Sequence, residues 1–230
     1  MVHFDPAEPL AAQTFAELAL ELHDAPSVED TVEAVLEFAL QAVNCTHAGL
    51  TLSSRGRAEI GAVTDPAVES IHQWQIDTGD GPLITSLREQ INIGTPDTRA
   101  DERWPEWGSK IAEMGIASGL QVPLAVGDHT VGVLSLYSTE VDAFSNDDLA
   151  VAHILAWHAS IAVAAARHQA SMVQAIDARK LVGQAMGILM MKFDVDGDRA
   201  FAILKRYSQD NNRKLRDVAQ EVVDTRKLPH

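Results

Sequence analysis

The residues with the clearest chemical potential lie towards the end of the chain, where basic and amide side chains are concentrated. Two basic residues, Arg179 and Lys180, lie on the first predicted helix of this region. Five more flank the predicted turn between its last two helices: Lys205, Arg206, Arg213, Lys214 and Arg216. Cationic groups near one turn suit a phosphate backbone, and the amides of Gln209, Asn211 and Asn212 can read base edges. The pattern indicates a nucleic-acid-binding surface, with a merely solvated helix face as the alternative.

Two glycines in the same region lie one helical turn apart. Gly183 and Gly187 share one face of a predicted helix. A missing side chain lets another backbone come close. That backbone belongs either to a binding partner or to a neighbouring helix of the tail itself, and both interpretations stay open.

Other candidate sites fail on spacing or on residue type. Asp194, Asp196 and Asp198 do not fit a calcium loop, because Gly197 and Lys205 stand where that loop needs other residues; they are expected to cap a helix. His153 and His158 are five residues apart, which does not suit a metal pair. We expect no metal site, no cofactor and no catalytic residues.

The only cysteine is Cys45, which excludes an internal disulfide framework and a multi-cysteine metal site. It also lacks the partner that a thiol-dependent reductase needs as a resolving cysteine. We therefore expect Cys45 to be a small buried apolar residue rather than a redox sensor. Gly79-x-Gly81 is not followed by the Gly-Lys-Ser/Thr of a phosphate loop, and no Ser/His/Asp set stands out. We therefore expect the protein not to be an enzyme.

Composition and charge indicate two modules that would bind different kinds of partner. The chain has 230 residues, of which 46% are apolar and 22% charged, and a net charge of −15. Residues 167–230 hold 12 basic and 8 acidic residues, a balance of +4, whereas residues 1–166 hold 6 basic and 25 acidic, a balance of −19. Such asymmetry is typical of two modules, and only the tail suits a polyanion.

No membrane association is expected from the sequence. No run approaches the ~20 consecutive apolar residues of a membrane span. The first ten residues, MVHFDPAEPL, lack the basic-then-apolar order of a secretion signal. These features predict a cytoplasmic location.

The first module reads as a mixture of helices and antiparallel strands. Helices are predicted over Leu10–Leu22 and Val28–Val43, the second capped by Ser27 and buried through Val32, Val35, Leu36, Ala39, Leu40 and Val43. A half-buried strand around Ala48–Ser53 pairs with Arg57–Val63, and Gln121–Val126 forms a hairpin with Thr130–Tyr137 through Gly127 and Asp128. The segment Asp77–Glu113, with Trp104 and Trp107, is predicted to be a long irregular binding loop or lid.

A long helix is predicted from Asp147 to about Lys192. It carries a heptad seam rich in alanine: Leu149, Ala152, Ala156, Ala159, Val163, Ala166, Ala170 and Val173. The seam outruns the predicted sheet, which favours a homodimer stalk over a helix packed on its own sheet. Two further helices follow, one capped by Asp198 and running to Ser208 with Phe201, Leu204 and Tyr207 in the core, and one over Leu215–Thr225, with Leu228 on its apolar side.

The tail, residues 167–230, resembles an ANTAR domain. The resemblance rests on Leu181-Val-Gly-Gln-Ala-Met-Gly-Ile-Leu-Met190, Ala200-Phe-x-x-Leu204, Ser208, Asn212-Arg-Lys-Leu-Arg-Asp-Val-Ala219 and Val222-Val223. It implies a three-helix RNA-binding module and adds Gly183, Gln184, Gly187 and Ser208 to the candidate RNA contacts. Met186 departs from the lysine of many members, which removes one phosphate contact if that lysine makes one.

Residues 10–166, after a leader over residues 1–9, are similar to a GAF domain. The matching pieces are Gly79-x-Gly81-Pro82-Leu83, Asp101–Trp104, Gly115-Ile-Ala-Ser118, Val122-Pro-Leu124, Val131-Gly-Val-Leu134 with Tyr137, and Phe144 with Asp148. The resemblance implies an α+β sensor fold with an antiparallel sheet flanked by helices. It leaves room for an unidentified small ligand or a protein signal.

Together the two resemblances imply a transcription antiterminator. The tail would bind paired stem-loops in a nascent leader RNA and so keep a terminator hairpin from forming, under control of the sensor domain. Two alternatives stay open. One is a DNA-binding regulator of the helix-turn-helix type, and the other is a sensor that acts only by protein contact.

Overall fold

A computed structural model describes residues 27–54, 56–127 and 129–227, which form mixed α and β elements. The helices are α1 (Val28–Ala42), α2 (Pro66–Thr78), α3 (Pro82–Glu89), α4 (Pro105–Glu113), α5 (Asn146–Phe193), α6 (Gly197–Asp210) and α7 (Leu215–Thr225). The strands are β1 (His47–Ser54), β2 (Arg57–Val63), β3 (Ile93–Thr95), β4 (Ser118–Val126) and β5 (His129–Ser138). The contacts divide the chain into a first unit, Met1–Arg167, and a second unit, His168–His230.

The first unit is built on a five-stranded antiparallel sheet in the order β2-β1-β5-β4-β3. The predicted pairing of β1 with β2 and the β4–β5 hairpin are both confirmed. Gly127 lies in the hairpin turn with a positive φ of 60°, which glycine adopts without steric cost. The predicted turn residue Asp128 and the predicted helix Leu10–Leu22 lie outside the described residues, as does Leu228.

Helix α1 begins at the predicted cap. The Ser27 hydroxyl accepts a hydrogen bond from the Asp30 backbone N–H at 3.1 Å. Five of the six predicted stripe residues are buried, but Leu40 is 38% exposed and the prediction of its burial is wrong. Phe38, which was not predicted to be buried, is part of the buried side of α1.

Both faces of the sheet are covered by helices. Leu50 and Leu134 point into a first core that α1 and α5 complete. On the opposite face lies a second core made largely of residues from α2 and α4. Thr51 on this face is fully buried, so the prediction that β1 is half-buried is wrong. The cause is the helical layer over 66–113, which the sequence analysis did not assign.

The predicted irregular loop Asp77–Glu113 is wrong for the same reason. The segment holds the end of α2, all of α3 and α4, and β3. Pro82 and Pro105 stand in the first turns of helices, where a missing N–H costs nothing. Gly79 ends α2 in a left-handed conformation. Trp107 is fully buried in the second core, so the aromatic residues here stabilise the fold rather than line a lid.

Helix α5 is one continuous helix of 48 residues, as predicted to within one residue at each end. The predicted dimer seam is wrong at Ala152, Ala156, Ala159 and Val163, because these side chains are buried in the first core against the unit's own sheet. Ala166 is half-buried and Ala170 is exposed. The packing of a helix on its own sheet therefore accounts for the buried part of the alanine stripe.

Helix α5 is long and apolar enough, by length and composition alone, to cross a membrane. It is the single such helix in the described part of the chain. Core helices of soluble proteins meet the same criterion, and α5 contributes five residues from Ala152 to Val163 to the first core.

The second unit packs α6, α7 and the last turns of α5 around a small core of its own. The buried residues are Ala185, Leu189, Ala200, Leu204, Val218, Ala219 and Val222. Asp196, rather than the predicted Asp198, caps α6, since its carboxylate accepts from the Arg199 N–H at 2.8 Å. Phe201, predicted in the core, is 39% exposed.

Candidate nucleic-acid interface

The basic residues predicted around the last turn are exposed in the second unit. Lys205 and Arg206 lie in the last turns of α6, and Lys214 and Arg216 lie at the start of α7. Arg206 pairs with Asp210 at 3.5 Å across one helical turn, and both side chains are largely exposed. Lys205, Lys214 and Arg216 have no ion pair among the described residues. Their charges are therefore available to an anionic partner.

Arg213 is held within the unit. Its guanidinium donates to the Glu221 carboxylate on α7 at 2.7 Å. The hydrogen bond to this carboxylate raises the pKa of Arg213. Arg213 therefore ties the α6–α7 turn to the helix that follows, and its charge is already balanced.

Two further predicted contacts are also used inside the turn. The Ser208 hydroxyl donates to the Arg213 carbonyl oxygen at 2.5 Å, and the Arg213 N–H donates back to the Ser208 carbonyl oxygen at 2.9 Å. The Asn211 amide donates to the Tyr207 carbonyl oxygen at 3.0 Å. These residues shape the turn. Gln209 and Asn212 are exposed, and their side chains make no hydrogen bond to another described residue.

The remaining predicted residues lie on α5. Arg179, Lys180, Gly183, Gln184 and Gly187 are all exposed. A Cβ built on Gly183 or Gly187 meets no described atom within 4 Å. The interpretation that these glycines permit helix packing inside the tail is therefore wrong. Their open backbone faces outward.

The structure brings part of the α5 set together with residues that the sequence analysis missed. A groove of about 980 Å³ is lined by Gln184, Gly187, Ile188, Met190, Met191, Lys192, Val223 and Arg226. The Lys192 ammonium donates to the Arg226 carbonyl oxygen at the end of α7, at 3.2 Å. No residue of the α6–α7 turn lines this groove. The basic pair Arg226 and Lys227 in the sequence was the signal that could have pointed to it.

Met186 is half-buried and packs against the core of the second unit. Its methyl group would lie 3.7 Å from a Cβ on Gly197. The position that carries lysine in many ANTAR domains thus serves apolar packing in this chain.

The first unit holds a buried polar cluster rather than a catalytic set. The His72 ring is completely buried between the Thr51 hydroxyl, at 3.0 Å from Nδ1, and the Tyr137 hydroxyl, at 3.1 Å from Nε2. Burial lowers the pKa of His72 to about 3 and raises the pKa of Tyr137 to about 12. Both rings are neutral at physiological pH. This cluster was not found from the sequence, because its members are far apart along the chain.

Cys45 is half-buried beside the first core, and its thiol contacts the Ala39 carbonyl oxygen at 3.5 Å. Burial, with a smaller effect from the Asp148 carboxylate, raises the pKa of Cys45 to about 11. The thiol is therefore protonated and a poor nucleophile. No group of histidine, cysteine or acidic residues within the described ranges could hold a metal ion.

Comparison with known families identifies both parts of the chain. The GAF domain model matches residues 25–164, and the ANTAR domain model matches residues 170–223. No curated protein matches the chain. ANTAR domains are RNA-binding antiterminator domains, and GAF domains are sensor domains.

Solved structures show the same fold at low sequence identity. The GAF domain of a phosphoenolpyruvate-protein phosphotransferase from Coxiella burnetii is 18% identical, with a TM-score of 0.55 over 70% of this chain and 96% of that one. The free methionine-R-sulfoxide reductase from Neisseria meningitidis is 13% identical, with a TM-score of 0.55 over 74% and 97%. The photosensory core module of the Stigmatella aurantiaca phytochrome is 13% identical, with a TM-score of 0.59 over 90% and 46%.

The matched residues cover both units, and the α+β fold predicted from the sequence is the one observed. The GAF model alone covers more than half of the chain. The chain thus belongs to the GAF domain family and is a GAF and ANTAR domain-containing regulator.

Proposed function

We propose that this protein is a transcription antiterminator that binds paired stem-loops in a nascent leader RNA and blocks terminator formation, gated by its GAF domain. The observation that carries the proposal is the set of exposed cations in the ANTAR unit that have no acidic partner among the described residues. Among them are Lys205, Lys214 and Arg216 beside one turn. Phosphates are the natural partners of such a set.

The turn supplies both affinity and selectivity in this proposal. Lys205, Lys214 and Arg216 contact phosphates, while the free amides of Gln209 and Asn212 read unstacked loop bases. Ser208, Asn211 and Arg213 hold the turn in shape through the hydrogen bonds and the ion pair described above. Arg179, Lys180 and Gln184 on α5 provide further polar contacts beside the two open glycines.

A homodimer lets the protein hold two stem-loops at once. We place the dimer face on the side of α5 opposite the buried alanines, where Ile154, Trp157 and Ile161 are exposed at steps of three and four residues. Helical spacing puts Ala166 and Ala170 on the buried side, away from this face. Two tails on one dimer would make the second RNA contact effectively intramolecular.

The protein acts as a regulator in the cytoplasm and not as an enzyme. GAF and ANTAR domains are regulatory domains. The protonated thiol of Cys45 and the neutral His72–Tyr137 pair offer neither a nucleophile nor a poised base. This supports a non-catalytic GAF domain.

The test is binding of the full-length protein to a leader RNA with two stem-loops, against the same RNA with scrambled loops and against duplex DNA. Selective binding to the intact loops, with increased read-through of a terminator in a purified transcription assay, is expected. Preference for duplex DNA would instead favour the helix-turn-helix alternative. Equal, weak binding to all three would favour a protein-contact role.

Variants locate the surface. Lys205→Ala combined with Lys214→Ala should weaken RNA binding at least tenfold, because each removes a phosphate contact. Arg199→Ala is the matched control, since this exposed arginine of the same unit lies outside the proposed surface. Equal losses in both variants would contradict the assignment of the turn.

A further inference from the structure

A cavity of about 540 Å³ opens in the GAF domain between the β1–β2 hairpin and helices α2 and α3. Its lining residues are Ser53, Gly56, Arg57, Ala58, Ile76, Ile84, Leu87 and Arg88. The volume falls in the range of small-molecule sites, about 300–1,000 Å³. The lining therefore decides what kind of molecule fits.

Among the described residues, the charged ones that line the cavity are two arginines. Arg57 comes from the start of β2 and Arg88 from the last turn of α3. Residues 1–166 hold only 6 basic residues against 25 acidic ones. Two of the six lie at this one cavity, with no carboxylate among its lining residues. The charged residues that line the cavity are thus opposite in sign to the net charge of the module.

Both guanidinium groups have donors to spare. Arg57 makes no hydrogen bond or ion pair through its side chain to any described residue. Among the described residues, Arg88 Nη2 reaches the Gly79 carbonyl oxygen alone, at a long 3.5 Å. Planar guanidinium groups in this state are suited to bind carboxylate or phosphate oxygens in pairs.

The rest of the lining is mainly apolar. Ile76 from α2, with Ile84 and Leu87 from α3, provides aliphatic surface, and Ile84 is buried. Ser53 adds one hydroxyl at the edge. A free inorganic anion would leave this aliphatic surface uncovered, whereas a molecule with an apolar body would cover it.

We propose that this cavity binds a small organic anion, with its carboxylate or phosphate group between Arg57 and Arg88 and its apolar body on Ile76, Ile84 and Leu87. The ligand is the signal that gates the antiterminator, and this regulatory role rests on the function proposed above. Ser53 lies two residues from Thr51, on the same face of β1, and Thr51 contacts His72. Arg88 reaches the residue that ends α2. A ligand bound in the cavity would therefore act on both β1 and α2.

The experiment is calorimetric titration of the full-length protein with four probes: octanoate, hexyl phosphate, 1-octanol and inorganic phosphate. Saturable binding of octanoate, of hexyl phosphate or of both is expected, at least tenfold tighter than that of octanol and of inorganic phosphate. The two alkyl anions distinguish a carboxylate ligand from a phosphate ligand. Octanol binding as tightly as the anions, or no saturable binding of either anion at millimolar concentration, overturns the proposal.

Variants test the two arginines. Arg57→Ala and Arg88→Ala should each weaken binding of the alkyl anion about tenfold, since each removes a charge-assisted contact. Arg99→Ala, an exposed arginine of the same domain that does not line this cavity, is the matched control and should leave binding unchanged. Circular dichroism confirms that the variants fold. Unchanged binding in both cavity variants overturns the assignment.

RNA binding by the same protein preparations separates this proposal from the function it builds on. Loss of anion binding in Arg57→Ala, with RNA binding unchanged when both are measured without the anion, supports the cavity and leaves the RNA surface intact. If the parent protein binds the alkyl anion but never RNA, the cavity stands and the antiterminator function fails. If it binds RNA but no alkyl anion, the cavity proposal fails alone.

Discussion

Gly183 and Gly187 are the residues whose presence the fold of the ANTAR unit explains least. Each lies inside a helix, where glycine costs about 1 kcal/mol relative to alanine. Nothing described lies within 4 Å of an added Cβ at either position. A close approach of RNA to the open backbone, as proposed above, would account for both glycines.

Gly183→Ala and Gly187→Ala should therefore separate stability from binding. We expect each variant to be more stable by about 0.5–1 kcal/mol, because alanine favours the helix. RNA affinity should fall at least fivefold if RNA contacts the open backbone. Thermal unfolding and RNA titration of the same samples check both. Unchanged RNA binding would place the RNA contacts at the α6–α7 turn alone.

His72 makes the stability of the GAF domain depend on pH. Its pKa is about 3 in the folded protein and 6.5 when unfolded. Between these values the unfolded chain binds a proton that the folded chain does not, so stability present above the unfolded pKa is lost as pH falls. The buried neutral ring thus disfavours folding in acid.

Lowering the pH from about 7 to about 5 should reduce the free energy of unfolding by about 2 kcal/mol through His72. Urea unfolding at several pH values measures this slope. His72→Gln should flatten it, even though it lowers stability overall, whereas the exposed His129→Gln should leave it unchanged. Equal slopes in the parent and in His72→Gln would contradict a buried neutral histidine.

The start of a short helix such as α6 depends on which of several similar residues caps it. Three aspartates precede or begin α6, and only the Asp196 carboxylate accepts a backbone hydrogen bond there. Asp198 lies in the first turn, where its negative charge is favourable towards the helix dipole. Local sequence cannot distinguish these roles, because both positions suit an acidic residue.

Asp196→Ala should destabilise the ANTAR unit by about 1 kcal/mol, the usual loss for a helix cap. Asp198→Ala is the matched control and should cost only a few tenths of a kcal/mol. Thermal unfolding followed by circular dichroism compares the two. A larger loss in Asp198→Ala would show that the cap lies two residues later than the structure places it.

Helix α5 has two apolar faces in the GAF unit, and the described residues of that unit cover only one of them. The alanine face packs on the sheet, while Trp157 on the other face is 61% exposed. Large apolar residues left in water on one helix face are typical of an interaction surface. In the function proposed above, this face binds a second copy of the chain.

Trp157→Glu should convert the dimer into a monomer without unfolding it, because the side chain is not part of the described core. Val141→Glu, at an exposed apolar residue of a loop, is the matched control. Analytical ultracentrifugation gives the mass of each. A dimer that persists in Trp157→Glu would move the interface elsewhere on the chain.

Charge is distributed unevenly over the whole chain, and this governs how it meets RNA. The net charge is −15, yet residues 167–230 carry +4. Binding must therefore depend on local contacts rather than on overall attraction. Salt weakens contacts between cationic side chains and phosphates.

The RNA dissociation constant should rise about 100-fold between about 50 and 200 mM salt if about five cations contact phosphates. Lys205→Ala should reduce the salt dependence by about one contact, while Arg199→Ala should not. Titrations at several salt concentrations give both slopes. A salt-independent constant would contradict phosphate binding by this surface.

Much of the fold was predictable because its signals are local. The cap at Ser27, the β1–β2 and β4–β5 pairs, α5 and α7 follow from periodicity and turn residues. The helices in 66–113 were missed because Pro82, Pro105 and Gly79 were interpreted as loop residues rather than as helix boundaries. Proline and glycine at a helix boundary cannot be distinguished by sequence from proline and glycine in a loop.

The candidate RNA-binding surface was also predictable only in part from the sequence. Residue types and charge alone indicated a nucleic-acid surface in the tail. Packing decided that Ser208, Asn211 and Arg213 shape the turn while Lys205, Lys214 and Arg216 stay free. Both groups are polar and adjacent in sequence, so only the direction of each side chain separates them.

Charge balance, helical and strand periodicity and the two family motifs are properties of neighbouring residues, and they determined the modules and their class. The alanine seam on α5, the His72–Tyr137 pair and the cavity between Arg57 and Arg88 were decided by tertiary structure. Each of these three features depends on how helices and strands pack, because packing decides which face of an element is covered by its neighbour. That choice is made by contacts between residues distant in the chain, which periodicity cannot report.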